Sequence, residues 1–388
     1  MYIERAITHK LTSLLELFPV VTLTGPRQSG KSTLCRRALE GWRYVSLEDP
    51  DLRQFALEDP RGFLATYDRH VVIDEAQRAP QLFSYIQGHV DELDEPGAYV
   101  LSGSQNFLLL SAVTQSLAGR TGMLTLLPLS LAELGRAGLE PKTLDAWLLQ
   151  GAFPRVHRYA IGPNDYYPAY VQTYLERDVR AEGGVGDLAA FHRFMRLCAG
   201  RVGNLLDLGG LADEAGVDSR TVKRWVSVLE ASNVLMLVRP YYNSFNKRLV
   251  KRPKLYFCDT GLACSLLGIR DEQALALSPY RGALFENAVL LEWCKGRYAQ
   301  GSAPDVWFWN ETSTNEVDFL FEDEQGLHAV EVKSGATPNR SWFKSMTTFT
   351  KLAGLATGQR SVVYGGDRTL ATSDGAVIAW RDWGSGTR

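Results

Sequence analysis

The stretch VVTLTGPRQSGKSTL, Val20 to Leu34, decides how the first third of this chain folds. Val20 to Thr24 predict a buried strand, the turn that follows is rich in Gly and polar residues, and KSTL opens a helix. The pattern GxxxxGK[ST] is complete, with Gly25, Gly30, Lys31 and Ser32 in place. Placed between a strand and a helix, these residue types make a phosphate cradle. The glycines let backbone N–H groups wrap phosphate oxygens, and Lys31 neutralises the β/γ charge. The Ser32 hydroxyl reaches a magnesium ion, and the helix N-terminus adds its dipole. The expected contact set is Gly25, Pro26, Arg27, Gln28, Ser29, Gly30, Lys31, Ser32 and Thr33, with ATP and Mg²⁺ as the ligands.

Moving outward, HVVIDEAQ is a second buried strand, Val71 to Ile73, that ends in Asp74 and Glu75. Two acids at the C-terminal edge of an apolar strand suit a magnesium-water ligand, Asp74, followed by a catalytic base, Glu75. A helix N-cap would use the same residues. A third strand, AYVLSGSQN, ends in Ser102, Ser104, Gln105 and Asn106, which either sense a γ-phosphate or mark a plain strand-to-loop transition. Arg120 lies in a Gly-flanked loop before another apolar strand. It reads either as a surface turn residue or as an arginine that stabilises transition-state charge at a neighbouring subunit's nucleotide.

The whole chain sets limits on these readings. At 388 residues it needs two or three cores. Its formal net charge of −2 predicts no general affinity for nucleic acid, so any such affinity must come from a local basic patch. Cys35, Cys198, Cys258, Cys264 and Cys294 show no CxxC spacing, which predicts reduced thiols in a cytoplasm and no zinc site. Met1-Tyr2-Ile3-Glu4-Arg5 meets charge before any apolar run, which predicts no secretory leader. The longest uncharged stretch, Pro96 to Gly119, is broken by Ser, Gln, Asn and Gly, so no membrane span is expected. The six histidines form no HxxxH or HExxH, and no nucleophile triad is visible.

In the middle of the chain, Pro141 to Leu205 reads as mostly helical. LADEAGVDSRTVKRWVSVLE then has the form of a helix-turn-helix, with Gly216 at the turn and Asp218 or Ser219 as the cap of the second helix. Val222, Trp225, Val226 and Leu229 follow i, i+3, i+4, i+7 and face a core. The opposite face carries Arg220, Lys223 and Arg224. SFNKRLVKRPKLYF reads as a basic wing with Lys247, Arg248, Lys251, Arg252 and Lys254. Such density suits phosphate contacts that weaken with salt, although solvated charges or a protein-binding winged helix would share the pattern. Asn and Gln are scarce on this face, so sequence-independent DNA binding is expected.

The last third turns strand-rich after RGALFENAVLLEWCKGRY, which reads as an amphipathic helix. In NEVDFLFEDEQGLHAVEVKSG, Asn315 to Gly335, Glu316 and Asp318 share one strand face, as do Glu331 and Lys333. A hairpin loop over Asp323 to Gly326 would set Asp318 opposite Glu331, whereas a one-residue change would separate the two pairs. Two carboxylates and a lysine so placed suit a metal that activates water on a phosphodiester. They equally suit the solvated face of a charged hairpin.

GPRQSGKST, YVSLEDPDLRQFALEDPRGFL, VVIDEAQRAPQLF, LSGSQN and LAGRTGMLTLLPLSLAEL together resemble the AAA-type ATPase domain of a prokaryotic family. In that family a C-terminal domain of uncharacterised function follows the ATPase. GAFPRV, YLERDV, PKLYFCDTGLAC and FENAVLLEW are similar to its second half, and Glu176, Arg177 and Asp178 match an acidic-basic-acidic cluster there. The resemblance implies an α/β protein in three parts. Residues 1–140 would form a parallel-sheet P-loop ATPase, 141–268 a helical lid with a winged helix, and 269–388 a small restriction-endonuclease-like domain. In that last part Glu286, Asp318, Glu331 and Lys333 resemble the PD-(D/E)xK nuclease pattern, and the helical Glu286 resembles the arrangement in Holliday-junction resolvases. Asn310 stands where related chains tend to carry arginine.

The reading that joins these parts is an ATP-hydrolysing AAA-type motor. It would be a ring-like homo-oligomer, hexameric by analogy, acting on duplex or branched DNA as branch-migration motors do. Glu75, Lys31, Ser104 and Arg120 would serve catalysis. Two other readings are an ATP-regulated metal-dependent nuclease in defence or repair, and an ATP-gated protein-interaction module.

Overall fold

The computed structural model describes residues 2–104, 113, 115–175, 187–241, 251–312, 315–344 and 346–384. The chain forms two compact units. One comprises Met1–Leu129 with Ala231–Asn233 and Arg297–Ser302, and the other Ser130–Glu230, Val234–Gly296 and Ala303–Arg388.

The first unit is built on five parallel strands, β1 (Val20–Thr24), β2 (Arg43–Ser46), β3 (Val71–Asp74), β4 (Tyr99–Ser102) and β5 (Thr121–Thr125), in the order β2-β3-β4-β1-β5. Strands β1, β3 and β4 are buried at every residue, as apolar runs in a sheet covered on both faces must be. Alternation along β3 divides the core, because Val71 and Ile73 join Phe63, Phe83 and Ile86, whereas Val72 joins Leu11, Leu23 and Leu34. The helices are α1 (Thr8–Leu15), α2 (Lys31–Ala38), α3 (Pro50–Glu58), α4 (Pro60–Thr66) and α5 (Leu82–Leu93). The repeated Asp-Pro steps have a local cause. Asp49 and Asp59 cap α3 and α4 through their carboxylates, and Pro50 and Pro60 take the first helical position, where no N–H is needed.

The second unit starts with short helices α6 (Leu131–Arg136), α7 (Leu144–Gln150), α8 (Pro154–Tyr159) and α9 (Pro163–Tyr170), then α10 (Leu188–Ala199), α11 (Leu208–Ala215) and α12 (Ser219–Ala231). Gly216, at φ 73°, ends α11 in the left-handed region. The Asp218 carboxylate caps α12, accepting from the N–H groups of Arg220 (2.9 Å) and Thr221 (3.0 Å). Val222, Trp225, Val226 and Leu229 are its buried positions, the four that the helical period assigns to the core. Trp225 meets Phe191 and Phe194 of α10 at ring-centroid distances of 5.4 and 5.2 Å. Strands β6 (Leu235–Pro240) and β7 (Lys254–Phe257) follow as an antiparallel pair. Lys247 and Arg248 lie outside the described residues, as do Gln105, Asn106, Glu176, Arg177 and Asp178.

Next come α13 (Thr260–Leu266), α14 (Glu272–Ala276) and α15 (Arg281–Ala299). Helix α15 departs from the amphipathic expectation, since Asn287 to Glu292 are all buried. Its buried Asn287, Glu292 and Lys295 are paired. The Asn287 side chain accepts from Phe257 N at 2.8 Å and donates to Phe257 O at 2.7 Å, and Lys295 Nζ donates to Glu292 Oε1 at 2.7 Å. Strands β8 (Val306–Thr312), β9 (Asn315–Asp323), β10 (Gly326–Lys333), β11 (Arg360–Tyr364), β12 (Leu370–Thr372) and β13 (Gly375–Ala379) join β6 and β7 in one eight-stranded sheet, in the order β12-β13-β11-β10-β9-β8-β6-β7. The β9–β10 ladder pairs Asp323 with Gly326 and Phe319 with Val330, the register expected from the loop length. The Asp318 carboxylate, one residue beyond that ladder, accepts from the Val332 N–H at 2.8 Å.

Candidate active site

Parallel strands put all their C-terminal ends at one edge of the sheet, and β4 lies between β1 and β3. The loop after β1 therefore faces Asp74 and Glu75 with Ser102 and Ser104 between them. Gly25 has φ 143°, and a Cβ there would stand 2.2 Å from the Leu126 carbonyl oxygen, so only glycine lets the loop pass. Gly30 at φ 100° leads into α2 with no side-chain cap, which leaves the first-turn N–H groups to a ligand.

Inside this edge the carboxylates are held by neutral donors. Asp74 accepts from Ser32 Oγ at 2.9 Å, from Ser102 Oγ at 2.5 Å and from the Tyr44 hydroxyl. Glu75 accepts from Gln77 Nε2 at 2.6 Å and from Ser104 Oγ at 3.2 Å. Glu75 also holds a left-handed backbone, φ 53°, a conformation that costs a non-glycine residue about 1–3 kcal/mol. The surrounding contacts fix it there. Lys31 is buried and donates to the carbonyls of Gly25 (2.8 Å) and Pro26 (2.9 Å), so its charge rests on its own loop. Burial pulls the Lys31 ammonium down to about 8 against the opposing pull of Glu75 and Asp74. Ser29 Oγ is buried with no hydrogen-bond partner among the described residues. That orphaned hydroxyl, the uncapped helix and the Ser32–Asp74 pair fit a magnesium–nucleotide, with Lys31 on its phosphates and Ser32 and Asp74 towards the metal. Arg27, Gln28 and Thr33 complete the loop and the first turn.

Two residues at this edge, Arg5 and Tyr44, escaped the reading of the sequence. Arg5 is buried and donates to Ser29 O (2.7 Å) and Leu127 O (2.7 Å), tying the phosphate loop to the chain beyond β5. A lone arginine near the start of a chain carries no sequence signal for this. Tyr44 holds Asp74, and its signal was position alone, near the C-terminal end of β2, whereas Ser102, expected at the γ-phosphate or in a plain loop, donates to Asp74.

Arg120 lies at the other edge of the sheet. Its carbonyl accepts from Val20 N at the start of β1, and its guanidinium grips Asp91 of α5 at 2.6 and 2.8 Å. The five residues of β1 separate it from its own chain's phosphate loop by about 16 Å.

The second unit gathers the other predicted acids. Glu286 on α15, Glu316 and Asp318 on β9, and Glu331 on β10 meet two lysines. Lys333 Nζ donates to Glu331 Oε1 at 2.5 Å, and Asp318 Oδ2 accepts from Val332 N at 2.8 Å. The second lysine corrects an expectation. Lys254 is not part of an exposed wing: it is 3% exposed and pairs with Glu286 (3.3 Å) and Glu316. The cause is strand alternation, which turns Lys254 and Tyr256 towards the acids together. The Tyr256 hydroxyl donates to Glu286 Oε1 at 2.5 Å, and Asn310 Nδ2 donates to Glu316 Oε2 at 3.2 Å. Burial first, and then Asp318 and Glu316, push the Glu286 carboxyl up to about 7 against the pull of Lys254. Among the described residues no three His, Cys, Asp or Glu side chains are set to hold a metal ion.

Of the basic residues, Arg220, Lys223 and Arg224 project into solvent from α12 with no ion pair among the described residues. Lys251 and Arg252 are exposed beyond the described break, and Arg252 lies 3.8 Å from Asp207. All five cysteines are buried and free. Among the described residues no helix is long and apolar enough to cross a membrane.

Residues 17–135 match the family described as AAA domain, 141–273 a domain of unknown function (DUF8612), and 281–383 another (DUF4143). The uncharacterized proteins Rv2008c of Mycobacterium tuberculosis (strain ATCC 25618 / H37Rv) and Mb2031c of Mycobacterium bovis (strain ATCC BAA-935 / AF2122/97) are each 30% identical over 385 residues, 98% of this chain and 85% of theirs. Among solved structures, the Walker-type ATPase PABY2304 of Pyrococcus abyssi is similar at 15% identity, over 68% of this chain and 96% of that one, with a TM-score of 0.42. AMPPCP-bound DnaA from Aquifex aeolicus is similar at 16% identity, over 58% and 85%, with a TM-score of 0.29. The chain belongs to the family of the two mycobacterial proteins, and its first unit carries an ATPase domain of the AAA, P-loop type.

Proposed function

We propose that this protein hydrolyses ATP and uses the cycle to act on duplex or branched DNA, as a ring-like homo-oligomer. Glu75 takes a proton from the water that attacks the γ-phosphorus. The bond to the β–γ bridging oxygen breaks, and ADP and inorganic phosphate leave. Lys31 moves from the loop carbonyls onto the phosphates, and Ser104 orients Glu75 through its hydroxyl. A magnesium ion, when bound, offsets phosphate charge. Arg120 lies too far from its own chain's phosphates to serve them. Its catalytic part would be played at a neighbouring subunit, after release from Asp91.

The observation that carries the DNA half is the face of α12. Arg220, Lys223 and Arg224 stand exposed on a helix whose other side is locked by Trp225, in a chain of net charge −2. Charge concentrated on a rigid helix of a helix-turn-helix suits a phosphate backbone in a groove.

The test is ATP turnover at low salt with single strand, duplex, fork and four-way junction. DNA is expected to raise turnover several-fold, with the gain lost in Arg220→Ala/Lys223→Ala/Arg224→Ala while basal turnover persists. Turnover that ignores every DNA form would end this reading and leave protein partners for the same face.

A further inference from the structure

The acid cluster of the second unit has the residue types of a metal-dependent nuclease but not the arrangement. A divalent cation needs lone pairs from several oxygens converging on one open point. Here at least one oxygen of each carboxylate is already engaged. Glu286 Oε1 takes both the Lys254 ammonium and the Tyr256 hydroxyl, while Glu316 takes Lys254 on one oxygen and Asn310 on the other. Asp318 Oδ2 accepts from the Val332 N–H, and Glu331 Oε1 from Lys333. Lys254 cannot withdraw into solvent as a surface lysine does, since its side chain is 4% exposed and its ammonium stands 5.3 Å from the Phe308 ring centroid. A lysine buried this deeply is tolerated only where carboxylates surround it.

We infer that Lys254 is the resident cation of this cluster, standing where a nuclease of this pattern would seat a divalent metal, and that the cluster is a fixed ion-pair node joining β7, α15 and β9. The site takes no divalent ion while Lys254 is in place, and the second unit does not cut DNA through it.

Mn²⁺ binding to the full-length chain, followed by electron paramagnetic resonance without nucleotide, tests this. An Asp74→Asn background keeps the phosphate-loop site from contributing. The protein with Lys254 is expected to bind no stoichiometric Mn²⁺ up to millimolar concentrations. Lys254→Met is expected to gain one Mn²⁺ per chain and a higher melting temperature in its presence, both lost on adding Asp318→Asn. One Mn²⁺ per chain in the protein with Lys254, abolished by Asp318→Asn, would overturn the inference. So would Mn²⁺-dependent cleavage of a four-way junction abolished by the same change, or a folded Lys254→Met that gains no ion. Should Lys254→Met fail to fold, the binding and cleavage measurements on the protein with Lys254 decide alone.

Discussion

Both units bury carboxylates beside lysines, but they neutralise them in opposite ways. Around Asp74 and Glu75 the partners are hydroxyls and an amide, from Ser32, Tyr44, Ser102, Ser104 and Gln77, and the one buried lysine is turned onto backbone carbonyls. Around Glu286, Glu316 and Glu331 the partners include ammoniums that touch the carboxylates directly. Neutral donors orient a carboxylate without cancelling its charge, so the first site keeps its negative charge for a cation that arrives with nucleotide. Ammoniums cancel the charge as they orient, and the second site already holds its cations. The same residue types thus describe a site that awaits a ligand and one that already holds its cations.

Substitutions can break this contrast at several points. The largest effect is expected from Glu75→Gln, which keeps the hydrogen-bonded shape but removes the base. Turnover should fall by about 10²–10⁴-fold while nucleotide affinity, read by a fluorescent ATP analogue, stays within a few-fold. Next comes Lys254→Met. Leaving Glu286 and Glu316 without their cation should cost about 3–5 kcal/mol in urea unfolding, and adding Glu316→Gln should recover part of it. Lys31→Met gives the opposite result if the contrast is right, because burial already disfavours its charge and its hydrogen bonds go to loop carbonyls rather than to a carboxylate. It should abolish nucleotide binding with little change in stability. Arg5→Ala is expected to cost about 1.5–3 kcal/mol and to weaken nucleotide binding, since Ser29 and Leu127 lose a charged donor. Arg5→Lys should restore little of either, because one ammonium cannot span both carbonyls.

The smallest effect is a pH dependence that belongs to the first site alone. Without nucleotide Lys31 loses its proton near pH 8, its pKa lying below the usual lysine value because of burial. Phosphates favour the protonated form, so binding above that pH takes up a proton. Affinity should therefore weaken as pH rises through about 8, by no more than about tenfold per unit. Affinity that stays flat to pH 9.5 would place the Lys31 charge elsewhere than on the phosphates.

Much of this was legible because local rules fixed it. A phosphate loop needs glycines where a Cβ would strike Leu126, and the sequence supplies them. The core face of α12 follows its helical period, and the β9–β10 register follows a loop whose length was readable. Other features were set at long range. Arg5 reaches Leu127 over a separation of 122 residues, and Tyr44 reaches Asp74 over 30, with no spacing rule to announce either. Lys254 was hidden by its company, as the last of five basic residues within eight. Its inward turn followed from the alternation of Lys-Leu-Tyr-Phe, a signal that the density of charge outweighed. The burial of α15 from Asn287 to Glu292 was equally unreadable, because Asn287 is paired by the distant Phe257 and Glu292 by Lys295 and Leu131.

The pairing of β6 with β8, Arg239 to Trp307 and Pro240 to Phe308, has a consequence for how such a protein can be taken apart. The strands that follow α12 are an edge of the same sheet that bears Asp318 and Glu331, and β7 delivers the lysine that Glu286 and Glu316 require. A fragment starting after residue 268 would carry an uncovered strand edge and an uncompensated nest of acids. Recombination or cloning that treats that point as a seam would yield insoluble material. The two families of unknown function, matched at 141–273 and 281–383, fall in this chain within one compact unit and one sheet.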